Sequence, residues 1–220
     1  LLGGLLIIVL NIELLWPALT LVMTDAFTGS AVAGGALGTV IRYGVARGVF
    51  SNEAGLGTAP IAAAAAKTDQ PVKQALVSMT GTFIDTIIVC SVTGLVLVMG
   101  GMYTGGTTGA ALTAQTFDRM LPGPGDWIVT IGLLFFAYST ILGWSYYGEK
   151  CWEYLVGTRA IMPFRIVWVL AVPFGAVAQL DFAWLLADTL NGLMAIPNLL
   201  SLLLLSPVVV KLTRDHFARR

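Results

Sequence analysis

Charge is scarce in this sequence: Asp, Glu, Lys and Arg make up 11% of 220 residues, against roughly a quarter in an average soluble domain. A surface so poor in charge is not wetted by water. The 12 basic and 12 acidic residues cancel, and they form no basic stripe between aromatic platforms. Nucleic acid therefore has no electrostatic footprint here. Histidine is nearly missing, with His216 alone in the basic tail. An axial-ligand pair for a transmembrane haem is thereby excluded. The two cysteines, Cys90 in an apolar run and Cys151 in a charged loop, have neither the number nor the spacing of a disulfide framework or zinc site. The sequence offers no phosphate-binding loop, no nucleophile beside a base and no metal-ligand cluster, so it does not read as an enzyme. It also opens Leu-Leu-Gly-Gly, without initiator methionine or signal-peptide pattern. Residue 1 is expected to be a truncation point, with upstream sequence lacking.

What is abundant is apolar: 57% of residues are hydrophobic, the mean hydropathy is +0.85, and the apolar residues come in long runs. Lipid is the implied solvent. Crossing a hydrocarbon core of about 30 Å takes ~20 mostly apolar residues in a helix, because every backbone amide must bond internally. By that ruler Leu1 to Leu10 is half a span, the remnant of a helix. Residues 11 to 27, with Glu13, Pro17 and Asp25, suit a short interfacial helix better than a crossing. Residues 31 to 66 are rich in small residues. There Gly34, Gly35, Gly38, Gly44 and Gly48 provide two small-xxx-small pairs for close helix contact. Spans follow at 75 to 99, 127 to 148, 160 to 180 and 182 to 210, with Pro173 as an expected kink. The last segment yields two short pieces if cut at Pro197, or one long tilted span. A Gly- and Thr-rich loop over 100 to 126 is expected to lie in water.

Positive charge sets the orientation. Lys67 and Lys73, then Lys150, Arg159 and Arg165, then Lys211, Arg214, Arg219 and Arg220 all belong inside. The 100 to 126 loop, with Arg119 alone, then lies outside. Parity works if 182 to 210 crosses once, which places the C-terminus in the cytoplasm.

The stretch from Arg47 to Thr58, Arg-Gly-Val-Phe-Ser-Asn-Glu-Ala-Gly-Leu-Gly-Thr, breaks helix rules at membrane depth. Gly55 and Gly57 disfavour continuous helix, Ser51 and Asn52 compete for backbone hydrogen bonds, and Pro60 suits the first turn of a new helix. A broken helix is predicted, with the break near residues 50 to 57. Non-helical backbone at that depth is tolerated where it is buried in protein or lines a cavity, and half-helix ends there bind ions and zwitterions. The competing reading is a kinked helix whose glycines only pack against a neighbour.

Gly48-Val-Phe-Ser-Asn-Glu-Ala-Gly-Leu-Gly57 and the small-residue run after it closely resemble the motif of the alanine or glycine:cation symporter family. The resemblance continues through Phe83-Ile-Asp-Thr86, through Phe136-Ala-Tyr-Ser-Thr140 and Trp144-Ser-Tyr-Tyr-Gly-Glu149, and through Asn191-Gly-Leu-Met-Ala-Ile-Pro-Asn198. It implies an all-α polytopic membrane bundle of the LeuT type, built as inverted repeats with broken first and sixth helices. This chain would hold the second five-helix repeat, over residues 31 to 210. Residues 1 to 30 would end the fifth helix and add an interfacial helix, and 211 to 220 would be a cytoplasmic tail. Partners would be a small amino acid, a cation, the lipid bilayer of the cell membrane and the missing N-terminal half, which carries the other broken helix. The implied function is sodium-coupled symport of alanine or glycine by alternating access. A non-transporting sensor or a channel on the same fold is the alternative.

Site residues follow from that resemblance, each beside a plainer reading. Phe50 would close over a small substrate, with Ser51 and Asn52 beside it, or else be ordinary core. Asn52 and Glu53 would orient the unwound backbone. Glu53 has two readings, pairing with Arg47 or Arg42 and coupling to a proton or cation; the price of an unpaired intramembrane charge favours pairing. Asp85 stands between the same two readings. The Phe136 carbonyl with the Ser139 and Thr140 hydroxyls would supply oxygens to sodium, whereas without the family match these hydroxyls would bond back to their own helix. Thr140 and Trp144 would also wall the substrate pocket, unless Trp144 anchors at the interface, a role expected of Tyr146 and Tyr147. Asp188 and Asn191, on one face of the last helix, are weaker candidates.

Overall fold

A computed structural model of the chain describes residues 1–27 and 36–218. Gly34, Gly35, Arg219 and Arg220 lie outside the described residues. The described residues are mostly helical, and no strand occurs among them. We number the helices α1 (Leu2–Leu10), α2 (Ile12–Phe27), α3 (Ala36–Asn52), α4 (Ala59–Ala63), α5 (Pro71–Gly100), α6 (Gly109–Met120), α7 (Gly125–Val156), α8 (Ile161–Val177) and α9 (Leu180–Ala218). Among the described residues four stretches are long and apolar enough to cross a membrane: α5, α7, residues Thr158–Val177 containing α8, and α9. They overlap the spans expected at 75 to 99, 127 to 148, 160 to 180 and 182 to 210. The chain is a multi-pass helical membrane protein.

Contacts divide it into two compact units, one made of Leu1–Gly44 with Thr82–Ser139 and the other of Val45–Gly81 with Thr140–Arg220. In the first, Ile7, Val96, Phe117 and Leu121 form a buried cluster. Glycine permits the close approach there: a Cβ on Gly4 would meet a Val92 methyl at 2.8 Å, and one on Gly100 the Thr116 methyl at 2.5 Å. Between α1 and α2 the chain bends by 102°. Asn11 sits at the corner, and both its backbone N–H and its side-chain amide donate to the Ile7 carbonyl, at 3.0 and 2.9 Å.

Helix α6 is a departure from the loop expected over 100 to 126. It runs for 12 residues and buries Thr116 and Phe117. The Gly-Thr composition of residues 104–109 masks an apolar face at Leu112, Thr116, Phe117 and Met120, whose i, i+4 spacing is helical. Within α5, residues Ile84–Cys90 adopt a π-helical turn that carries Asp85 and Thr86. Such turns inside α-helices are frequent at functional sites.

In the second unit, α7 and α8 are joined by a bidentate pair: Arg165 donates to both Glu149 oxygens, at 2.7 and 3.0 Å. Phe164 lies over Gly148, where a Cβ would meet its ring at 2.5 Å. The segment over 182 to 210 is continuous helix, with Pro197 and Pro207 inside α9. Each proline leaves the carbonyl four residues earlier without its helical donor. At Pro207 the sequence supplies a replacement, because the Ser206 hydroxyl donates to the Leu203 carbonyl at 2.8 Å.

Candidate functional site: the interrupted helix and its cavity

Helix α3 stops at Asn52 through a Schellman closure. The Ala54 N–H reaches the Val49 carbonyl at 3.1 Å and the Glu53 N–H reaches the Phe50 carbonyl at 3.3 Å, the paired bonds that define the motif. Its left-handed position is normally glycine. Here it is Glu53, with φ 51°, the one described non-glycine residue at positive φ. Gly55 and Gly57 follow at φ 77° and 86°, conformations that glycine takes at no steric cost. Regular bonding resumes where the Ile61 N–H meets the Thr58 carbonyl at 2.9 Å, and Pro60 sits in the first turn of α4. Residues 53 to 58 are thus non-helical backbone between two helices.

What packs on this segment comes from α9. A Cβ on Gly57 would lie 3.3 Å from Asn198 Oδ1, and one on Gly55 would lie 3.6 Å from a Leu199 methyl. Beside the segment opens a cavity of about 480 Å³, within the ~300–1,000 Å³ usual for small-molecule sites. Its walls are two helical stripes. Trp144, Tyr147, Gly148 and Cys151 come from α7, and Met194, Pro197, Asn198 and Ser201 from α9. Both follow i, i+3, i+4, i+7, the spacing of one helix face. Leu56, Gly57, Thr58 and Ile61 form the third side, and Trp168 of α8 closes a corner. Among the described residues that line it, none is charged.

Phe50 does not line this cavity. Its ring meets Trp184 edge-on, with centroids 5.7 Å apart. Arg47, one turn earlier, lays its guanidinium 3.9 Å from the Trp184 ring centre and pairs with Asp188 at 3.1 Å. Arg47 and Phe50 share one face of α3, and Trp184 and Asp188 one face of α9. This corrects the expected pairing of Arg47 with Glu53 or Asp85: its partner is an acid 141 residues away, brought close by α9. The Glu53 carboxyl instead lies close to the Tyr147 hydroxyl. Tyr147 lines the cavity wall.

The Asn52 side-chain amide donates to the Gly48 carbonyl at 3.0 Å, which holds the end of α3. Trp144 contacts Tyr147 edge-on at 6.0 Å. The Ser139 hydroxyl donates to the Phe136 carbonyl at 3.0 Å, and Thr140 is exposed. Thr58, Trp168, Asn198 and Ser201, all polar residues of the cavity wall, were not foreseen as site residues. A threonine after the second glycine and a tryptophan in a uniformly apolar span give no sequence signal that they share a wall.

The profile of the sodium:alanine symporter family matches residues 1–220. The chain belongs to the sodium:alanine symporter family. It is 61% identical over 217 residues to the sodium/alanine symporter AgcS of Methanococcus maripaludis, covering 97% of this chain and 48% of that protein. In Bacillus subtilis it is 38% identical to a probable sodium/glutamine symporter, GlnT, over 94% of this chain and 44% of that one. A second protein of that bacterium, a putative sodium/proton-dependent alanine carrier, YrbD, is 35% identical over 97% of this chain and 48% of its own length. The chain spans about half the length of these symporter relatives. These relatives carry the names of transporters.

Proposed function

We propose that the protein carrying this chain is a sodium-coupled symporter of a small neutral amino acid, alanine or glycine, working by alternating access. The observation that carries this reading is the interrupted helix at residues 53 to 58, with Gly55 and Gly57 at positive φ beside a cavity of about 480 Å³. Unwound backbone within a membrane protein presents carbonyls and amides that bind ions and zwitterions without burying net charge. The relatives' names, sodium/alanine symporter and sodium/proton-dependent alanine carrier among them, supply the solute and the ion.

In this account the described helices belong to one five-helix repeat of a LeuT-type fold, the cell membrane is the host bilayer, and the C-terminus is cytoplasmic. Ser51, Asn52 and Trp144 face the substrate. Phe50, seated on Trp184, contributes by setting the end of α3. Phe136, Ser139 and Thr140 supply oxygens to sodium, the Ser139 hydroxyl turning from the carbonyl it now engages. Asp85, in the π-helical turn of α5, serves in coupling or pairing.

The test is uptake of radiolabelled alanine and glycine into proteoliposomes holding the protein expressed in full from its own gene. Accumulation is expected under an inward sodium gradient, and Thr140→Ala is expected to weaken sodium dependence more than it weakens folding. Equal uptake with sodium or potassium outside would overturn the coupling. Unchanged sodium affinity in Thr140→Ala would overturn the ligand assignment.

A further inference from the structure

Two polar atoms in the cavity wall are buried without a hydrogen-bond partner: the Thr58 hydroxyl and the Trp168 indole N–H. Thr58 is 3% exposed. It stands at the N-cap position of α4, where a threonine hydroxyl ordinarily accepts from the next turn, yet it makes no such cap. Trp168 is fixed by stacking on Phe164, with ring centroids 5.9 Å apart at 29°. An indole N–H can only donate, and a hydroxyl can do so as well. A buried polar group left unpaired costs about 1–3 kcal/mol, and each one in a native structure asks for an explanation.

Both residues line the same cavity. The wall also carries Trp144, Tyr147, Asn198 and Ser201, but no charged side chain among the described lining residues; of its polar atoms, those of Thr58 and Trp168 are the ones buried without a partner. That combination fits a ligand without net charge that turns a hydrogen-bond-accepting oxygen toward the pair. An acidic side chain on the wall would repel such an oxygen, and an additional basic one would select a ligand of net negative charge.

We propose that Thr58 and Trp168 form a donor pair that holds a carbonyl-type oxygen of the transported amino acid. This rests on the transport reading above and adds a subsite to it. Two sources of that oxygen share one chemistry: the α-carboxylate common to all amino acids, and the carboxamide of a longer neutral side chain.

Equilibrium binding of radiolabelled alanine and glutamine, at saturating sodium, tests the pair in the protein expressed in full. Trp168→Phe keeps a ring against Phe164 and removes the donor; Thr58→Val removes the hydroxyl, and Thr58→Ser keeps it. Trp168→Phe and Thr58→Val are each expected to weaken binding by roughly tenfold or more, the loss of one hydrogen bond to a charged group, with Thr58→Ser close to wild type. Equal losses for both amino acids assign the oxygen to the α-carboxylate. A loss confined to glutamine assigns it to the side chain. Wild-type binding that survives both variants within about twofold, less than a modest hydrogen bond is worth, overturns the pair. A wild-type protein that binds neither amino acid contradicts the transport reading itself, before any variant is compared.

Discussion

Arg47 of α3 and Asp188 of α9 meet at 3.1 Å, with the guanidinium also 3.9 Å from the centre of the Trp184 ring. Their side chains are 36% and 42% exposed. In water a pair so open contributes only about 0.2–1 kcal/mol, but a lone charge facing lipid costs more than a paired one. Removing one partner is therefore expected to hurt more than removing both. In a double-mutant cycle read by thermal unfolding in detergent, Asp188→Ala should be destabilised by about 2 kcal/mol, leaving the double variant nearer to wild type. Additive losses would show that the two charges do not depend on each other. Arg47→Lys should keep the charge and lose the stacking on Trp184, because only the guanidinium is planar.

Glu53 occupies a backbone position that suits glycine, at φ 51°, and its carboxyl lies close to the Tyr147 hydroxyl. Holding a residue with a Cβ there costs roughly 1–2 kcal/mol. Glu53→Gly should relieve that cost and raise the unfolding temperature, yet lower sodium-dependent uptake by about fivefold, the equivalent of about 1 kcal/mol of interaction with Tyr147. Tyr147→Phe should lower uptake by a similar factor, with no further loss in the double variant. If Glu53→Gly transports as well as wild type, the side chain serves no purpose at the break.

Gly57 is constrained twice, by φ 86° and by Asn198, whose Oδ1 lies 3.3 Å from where a Cβ would stand. Gly57→Ala is expected to destabilise the protein by about 1–2 kcal/mol through the backbone alone, and by more through contact. Asn198→Ala should recover the contact part and leave the backbone part. Gly55→Ala, facing Leu199 at an ordinary 3.6 Å, should show the backbone part alone. Unfolding midpoints of the four variants check this; full recovery by Asn198→Ala would mean that the φ constraint is not real.

Much of this was legible in the sequence because single residues carried it. Uninterrupted apolar runs mark α5, α7, α8 and α9, and Gly55, Gly57 and Pro60 in an otherwise helical stretch mark the break between α3 and α4. Helix α6 was hidden by flanking glycines and threonines that read as loop. The pairing of Arg47 was illegible for another reason: its partner lies 141 residues away, and charge counting favours neighbours such as Glu53. The cavity falls between these cases. Met194, Pro197, Asn198 and Ser201 announce one face of α9 by spacing, but nothing in the spacing says that Trp168 closes the corner. The Schellman closure at Glu53 was missed because the residue there is not the glycine that signals it.

Amide hydrogen exchange across residues 53–58 tests most directly whether the unwound segment grips the solute. With sodium and alanine both present, exchange in that segment should slow markedly, and more than in the α6 region. If alanine binds while exchange across 53–58 stays as it is in the ligand-free protein, the segment is not the site.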